Sequence, residues 1–171
     1  ETDYRELLPG QGAYWNPALI GPTGTVRHTG YVPDILTGRG LAWLKQRDKA
    51  RPFMLMLQHK APHRPWQPPA RYLPWLADVA IPEPPTLFDD YANRGIAVRD
   101  QDMSIEKTMT QRDVKLVTPG TLTPEQRKEW DAYYAPRNAA FEKMNLTGKE
   151  LTQWRYQRYM HDYLGCIKAV D

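Results

Sequence analysis

The apolar positions of this chain form one uninterrupted run and two periodic stripes, and these predict most of its regular structure. The run, Phe53-Met54-Leu55-Met56-Leu57, has the length and continuity of a strand buried on both faces, although periodicity alone does not separate it from a short buried helix. Upstream, Pro33 occupies a place that a first helical turn tolerates. Ile35, Leu36, Trp43 and Leu44 then share one face as far as about Gln46, which predicts a helix there. Downstream, Tyr156, Tyr159, Met160, Tyr163, Ile167 and Val170 recur at three- and four-residue steps, the stripe of a helix with one buried side. That stripe is still unfinished at Asp171.

Polar positions supply the punctuation. Thr123-Pro-Glu-Gln126 and Thr147-Gly-Lys-Glu150 each place a hydroxyl at an N-cap and an amide or carboxylate three residues on, so two capping boxes are expected to open two helices. Asn145-Leu146-Thr147 matches a glycosylation acceptor, but its threonine is the one that caps. The order that results is a Gly/Pro-rich arm over 1–30, helix and core strand with their following turn over 31–66, a proline-rich stretch over 67–122, and two helices over 123–171. Pro9-Gly10, Asn16-Pro17 and Gly21-Pro22 break regular structure in the arm. Prolines 68, 69, 74, 82, 84 and 85 forbid long helices after the turn, and a loop of that length is usually a lid or binding loop. Trp66, Trp75, Phe88 and Tyr91 either pack it down or offer flat faces to sugar rings. Helix followed by buried strand makes the class α/β.

The chemistry sits just past the apolar run, in Gln58-His59-Lys60-Ala61-Pro62-His63-Arg64-Pro65-Trp66. A loop at a strand's carboxyl end is where ligands bind in open α/β sheets, and four cationic or titratable groups there suit an anionic substrate. Pro62 and Pro65 flank His63 and stiffen its support. Local chemistry leaves His63 open between a hydrogen-bonded structural residue and a catalytic one. His59, beside the strand, is open between a backbone contact and a substrate contact.

The segment Arg51 to Trp66, ending in its Pro-His-x-Pro turn, resembles the formylglycine-dependent sulfatases of the alkaline-phosphatase-like superfamily. Leu8-Pro-Gly-Gln-Gly12 with Tyr14 and Asn16-Pro17, then Gly30-Tyr31 with Asp34-Ile-Leu-Thr37, are similar to the stretch preceding that strand in bacterial and lysosomal polysaccharide sulfatases. Ile81-Pro-Glu-Pro84, Thr86-Leu-Phe-Asp-Asp-Tyr91, Tyr156-Gln-Arg-Tyr-Met160 and Tyr163 to Asp171 resemble the branch that includes N-acetylglucosamine-6-sulfatases. The resemblance implies a mixed sheet flanked by helices, of which this chain is an interior part, and hydrolysis of a sulfate ester on a carbohydrate such as 6-O-sulfated N-acetylglucosamine. Alternatives are a non-catalytic glycan-binding module on the same fold and a phosphate-ester hydrolase of the superfamily. His63 matches the family position that protonates the departing sugar oxygen or holds a sulfate oxygen. Lys60 and His59 then join it as substrate contacts, and Arg64 either contacts the glycan or faces solvent.

The resemblance also implies a calcium ion and a formylglycine made from cysteine or serine. The family's Cys-x-Pro-x-Arg signature and its Asp-Asp and Asp-Asn or Asp-Gln ligand pairs fall outside these residues. Cys166, followed by Ile167, Lys168 and Ala169, reads as a small buried apolar residue. Asp89-Asp90 reads as a turn-forming or solvated pair and not as metal ligands. The isolated chain is therefore expected to be inactive without the rest of its parent domain. A periplasmic, secreted or lysosomal location is what the resemblance suggests.

Composition narrows the alternatives. With sixteen prolines, six tryptophans, ten tyrosines and 41% hydrophobic residues among 171, the chain has material for one domain-sized core. A lone cysteine excludes an internal disulfide framework. The longest apolar stretches fall far short of the ~18 residues of a membrane span. A net charge of +3 and pI near 9.0 come from Lys and Arg scattered among Asp and Glu. No basic block or nucleic-acid motif accompanies them, whereas a mild positive balance suits a sulfated glycan.

Overall fold

The structure is a computed structural model and describes residues 4–171. The Gly/Pro-rich arm, expected to be irregular throughout, contains a hairpin: β1, Ala18–Gly21, pairs antiparallel with β2, Gly24–Arg27, in register Ala18 with Arg27 and Gly21 with Gly24. Pro22 and Thr23 turn the corner, and Gly24 at φ +123° takes a backbone conformation that side-chain-bearing residues avoid. Leu7 adds a bridge to Ile20 on the outer edge.

α1 spans Val32–Gln46, with Pro33 in its first turn and Asp34 beside the positive helix end, close to the predicted bounds. After the proline-rich stretch, which folds as isolated 3-10 turns and two helices of four or five residues, α2 (Ile96–Asp100) and α3 (Ile105–Thr108), come two 21-residue helices. These are α4, Pro124–Met144, and α5, Gly148–Lys168. At α4 the expected capping box is complete, Thr123 and Gln126 each bonding the other's backbone N–H. Thr147 stands at the N-cap of α5 without making a side-chain bond, so the second box does not form. Asn145 closes α4 in the left-handed conformation. α5 is assigned as far as Lys168, and the N–H groups of Val170 and Asp171 still donate to Ile167 O.

One expectation needs correction. Residues 53–57 form no ladder with any described residue, and Met54 and Met56 are 80% and 67% exposed. Alternation is nevertheless present. Leu55 and Leu57 lie over Gly40 of α1 and Phe53 meets Trp43 edge-on at 5.7 Å, while the two methionines point away. A strand needs at least one neighbour to pair with its N–H and C=O groups, and the described residues offer none. The fold is thus mixed α and β with one two-stranded sheet.

The main core lies elsewhere. Tyr14, Trp15, Leu19, Tyr31, Val32, Leu36, Ala61 and Cys166 form one buried cluster, which joins the arm, the start of α1 and the end of α5 directly beneath residues 60–66. A smaller cluster of Leu73, Trp130 and Tyr134 fastens the proline-rich stretch to α4. That stretch is also clipped along α5. Gln157 exchanges two amide bonds with the backbone of Ile81, Tyr156 OH donates to Pro82 O, and His161 donates to Val79 O. Among the described residues no helix is long and apolar enough to cross a membrane.

Candidate functional site: the turn at residues 60–66

The core beneath the turn fixes its backbone. Ala61 is buried in the main cluster, His63 N–H donates to Lys60 O at 2.9 Å, and Tyr14 OH donates to His63 O at 2.6 Å. Both proline bonds of the turn, Ala61–Pro62 and Arg64–Pro65, are cis. Trp66 takes φ +46° and packs edge-on against Tyr159 of α5 at 4.5 Å; of the four aromatics weighed for sugar contact, it is engaged in packing.

His63 stands at the exposed tip. Its Nδ1 lies 2.7 Å from the carbonyl oxygen of Arg64. A carbonyl only accepts, so Nδ1 carries the hydrogen and Nε2 is the nitrogen left for a ligand. The imidazole therefore has one ring nitrogen committed to the protein.

The other cations of the turn are less free than sequence suggested. Lys60 is 8% exposed, donates to Gln11 O at 2.9 Å, and lies 4.9 Å above the Tyr14 ring; burial lowers its pKa. His59 is half-buried, and its Nδ1 is shut from water without a partner among the described residues. Burial pulls its pKa below the usual histidine value, so at neutral pH it is an uncharged imidazole.

Arg64, expected to touch glycan or face solvent, is instead clamped inward. Its guanidinium makes a two-pronged ion pair with Asp113, through Nε at 2.7 Å and through Nη2, and Nη2 also reaches Thr108 O at 2.8 Å. Asp113 in turn accepts from Thr110 N–H at 2.8 Å and Thr110 Oγ1 at 2.6 Å. Burial works against its charge, but these donors outweigh that and hold the carboxyl below its ordinary pKa. Sequence carried no sign of Asp113, which lies 49 residues from Arg64 amid mixed charges. Two residues on, Lys115 is fully buried at φ +59°. It donates to Asp113 O at 2.6 Å and meets Asp162 Oδ2 at 3.2 Å, while Tyr134 OH donates to Asp162 Oδ1 at 2.5 Å. A polar line thus runs from the turn through 113–115 to α4 and α5.

Neither Asp89 nor Asp90 faces the turn's cations. Each accepts from the backbone N–H two residues ahead, Tyr91 and Ala92, in side-chain turns. Among the described residues, no three His, Cys, Asp or Glu side chains gather as a cation site. Cys166 is wholly buried, and burial with the nearby Asp162 charge pushes its thiol up to about 12, far from a reactive thiolate.

No family model matches the chain. An N-acetylglucosamine-6-O-sulfatase of Bacteroides thetaiotaomicron is 40% identical over 188 residues, covering 99% of this chain. This chain spans 34% of that protein's length. A solved structure of a protein in complex with its substrate D-glucosamine-2-N,6-O-disulfate matches it at TM-score 0.92 and 40% identity, over 98% of this chain and 38% of that one. In sequence and fold, this chain corresponds to rather more than a third of the length of these two proteins.

Proposed function

We propose that the chain is part of a hydrolase for sulfate esters on carbohydrate, with 6-O-sulfated glucosamine as the sugar. The likeness over 99% of the chain to a protein with that printed activity carries the reading, and the exposed, half-committed imidazole of His63 supplies chemistry that fits it. Phosphate-ester chemistry and bare glycan binding have no comparable observation behind them.

The sulfatase family uses a calcium ion and a formylglycine. The described residues fit neither, since Cys166 is sealed in the core and Asp89 and Asp90 are spent in turns, so no step is routed through those groups. This chain's own contribution concerns the leaving group. In hydrolysis sulfur gains a bond to an oxygen nucleophile, ultimately water, as the ester S–O bond breaks; the electron pair of the broken bond stays on the sugar oxygen, and an alkoxide leaves poorly unless protonated. In its cationic form His63 carries a second proton on Nε2, while Nδ1–H stays on Arg64 O, and it delivers that proton to the bridging oxygen. Such general acid catalysis contributes ~10²–10⁴-fold. Lys60 adds positive charge behind the turn. His59, neutral by burial, can contact a substrate as a hydrogen-bonding group but adds no charge. Arg64 acts through the backbone carbonyl that orients the His63 ring.

The test is His63→Ala in the full-length polypeptide, assayed on a carbohydrate 6-O-sulfate and on nitrophenyl sulfate. An alkanol oxygen needs the proton and should lose ~10²–10⁴-fold in kcat/KM, while a phenolate leaves without it and should lose far less. Equal losses on both would remove the general-acid role, and no loss on either would make His63 structural.

A further inference from the structure

His63 is held at three points. Its N–H donates to Lys60 O at 2.9 Å, its carbonyl accepts from Tyr14 OH at 2.6 Å, and its ring Nδ1 donates to Arg64 O at 2.7 Å. The last two are linked by covalent geometry. The bond from Nδ1 to Arg64 O closes a ring of atoms that passes through the peptide joining His63 to Arg64, and the oxygen of that peptide is the one Tyr14 grips. A peptide unit turns as a plane, so tilting this one carries Arg64 Cα, and with it Arg64 O, away from Nδ1. The other donor to His63 O, Trp66 N–H, stands back at 3.4 Å. Tyr14 is therefore the short tether on the plane whose tilt decides whether Nδ1 keeps its acceptor.

The tether has a rigid foot. Tyr14 is 1% exposed, its ring stacks with that of Tyr31 at 6.0 Å, and its own carbonyl accepts from Val32 N–H at 2.8 Å at the head of α1. Burial raises the pKa of the phenol, so the group keeps its hydrogen and stays a donor. Packing accounts for the ring but not for the hydroxyl, because a phenylalanine would fill the same core, and a hydroxyl taken from water needs a partner. The partner is His63 O. Resting on the reading of His63 as general acid, we propose that Tyr14 is a positioning residue of the reaction. Through the peptide between His63 and Arg64 it keeps Nδ1–H on Arg64 O, and so keeps Nε2 as the nitrogen that faces the departing sugar oxygen. Without the tether the imidazole gains other orientations and its other neutral tautomer, neither of which sets a proton on the line to that oxygen, and a misplaced catalytic group loses rate.

The experiment uses the full-length polypeptide and deletes a single oxygen. Tyr14→Phe is compared with Tyr31→Phe, which removes a hydroxyl from the neighbouring buried ring, one that reaches Cys166 Sγ at 3.9 Å and makes no bond to the turn. Both variants keep the ring that fills the core, so both should melt near wild type. On a carbohydrate 6-O-sulfate, Tyr14→Phe should lose about tenfold in kcat with KM unchanged, since loss of one hydrogen bond shifts an orientational equilibrium by about that factor. Tyr31→Phe should keep the wild-type rate. On nitrophenyl sulfate, whose phenolate leaves without a proton, Tyr14→Phe should lose far less. Added to His63→Ala, Tyr14→Phe should bring no further loss, because it acts only through the imidazole. A second readout needs no turnover. With histidine nitrogen isotope-labelled, and His63 assigned by the signals that vanish in His63→Ala, the neutral ring should show the Nδ1–H tautomer alone in the wild type and a mixture in Tyr14→Phe. An unchanged tautomer spectrum, equal losses in Tyr14→Phe and Tyr31→Phe, a loss that strikes both esters alike, or an additive loss in the double variant overturns the positioning role and leaves the hydrolase standing. A tautomer mixture in Tyr14→Phe with no loss of sulfate release in His63→Ala overturns the general acid and leaves the tether.

Discussion

Replacing Asp113 with Asn tests whether the clamp on Arg64 holds the turn. The carboxylate, 2% exposed, accepts four bonds, two from Arg64 and two from Thr110. Oδ2 accepts three of these bonds and Oδ1 only that from Arg64 Nε, so Asn with its oxygen in the Oδ2 place loses the Arg64 Nε bond, sets an NH₂ against that donor, and loses the charge. Bonds to charged groups contribute about 1.5–3 kcal/mol each. Arg64 is 38% exposed on its side chain and regains water when released, which discounts its share. A net loss of about 2–3 kcal/mol follows, less than the 3–5 of a sealed pair. Urea unfolding at pH 7 of the full-length polypeptide, wild type against Asp113→Asn, reads this directly. The pH dependence adds a sign. Asp113 is depressed in the folded state, so the wild type's advantage is whole above the unfolded carboxylate value of about 3.9 and fades as pH falls through the lower folded value. Coincident midpoints at pH 7, or an advantage undiminished in strong acid, would refute the clamp.

Five further substitutions probe the scaffold around the turn. Lys115→Met strands the Asp162 carboxylate, 5% exposed, and should cost about 3–5 kcal/mol in the same unfolding assay; adding Asp162→Leu should recover much of it, and a strictly additive double variant would deny the coupling. Gly165→Ala would set a methyl 2.9 Å from Pro68 Cβ. Its helix-propensity gain of about 1 kcal/mol should lose to overpacking of about 1–3 kcal/mol against a rigid ring, so a raised melting temperature would contradict the packing. Thr123→Ala should cost about 1 kcal/mol, whereas Thr147→Ala, whose hydroxyl makes no cap bond, should melt within a degree of wild type.

What the sequence disclosed about the site depended on how local the interaction is. His63 between two prolines is legible because position, chemistry and stiffness all sit within five residues. Asp113 and Tyr14 meet the turn only through the tertiary fold, each 49 residues in sequence from the residue it bonds there, and Asp113 carries no motif. Arg64 shows the consequence. By composition an arginine after a turn belongs to solvent or ligand, yet a buried carboxylate from a distant loop claims it. Its carbonyl, not its charge, then serves the site, by fixing which nitrogen of His63 stays free. The capping boxes make the same point at shorter range: identical spacing gives a closed box at Thr123, where Gln126 is also held by Asn16, and an open one at Thr147.

The run at 53–57 separates conformation from burial. Five apolar residues in a row specify what the segment must avoid, namely water on either face, but not who covers it. In the structure, one side has partial cover from α1, where Gly40 lets Leu55 and Leu57 approach closely, although both stay exposed. The other side, Met54 and Met56, has none. An extended segment with no ladder partner among the described residues leaves its backbone N–H and C=O groups open, and such an edge templates association. This has a bearing on the site. His59 and Lys60 continue directly from that segment, so a chain paired along its edge would fix the approach to the turn that carries His63. The hairpin and the core beneath Ala61 hold the turn from below, and the segment leading into it packs through Phe53, Leu55 and Leu57 alone.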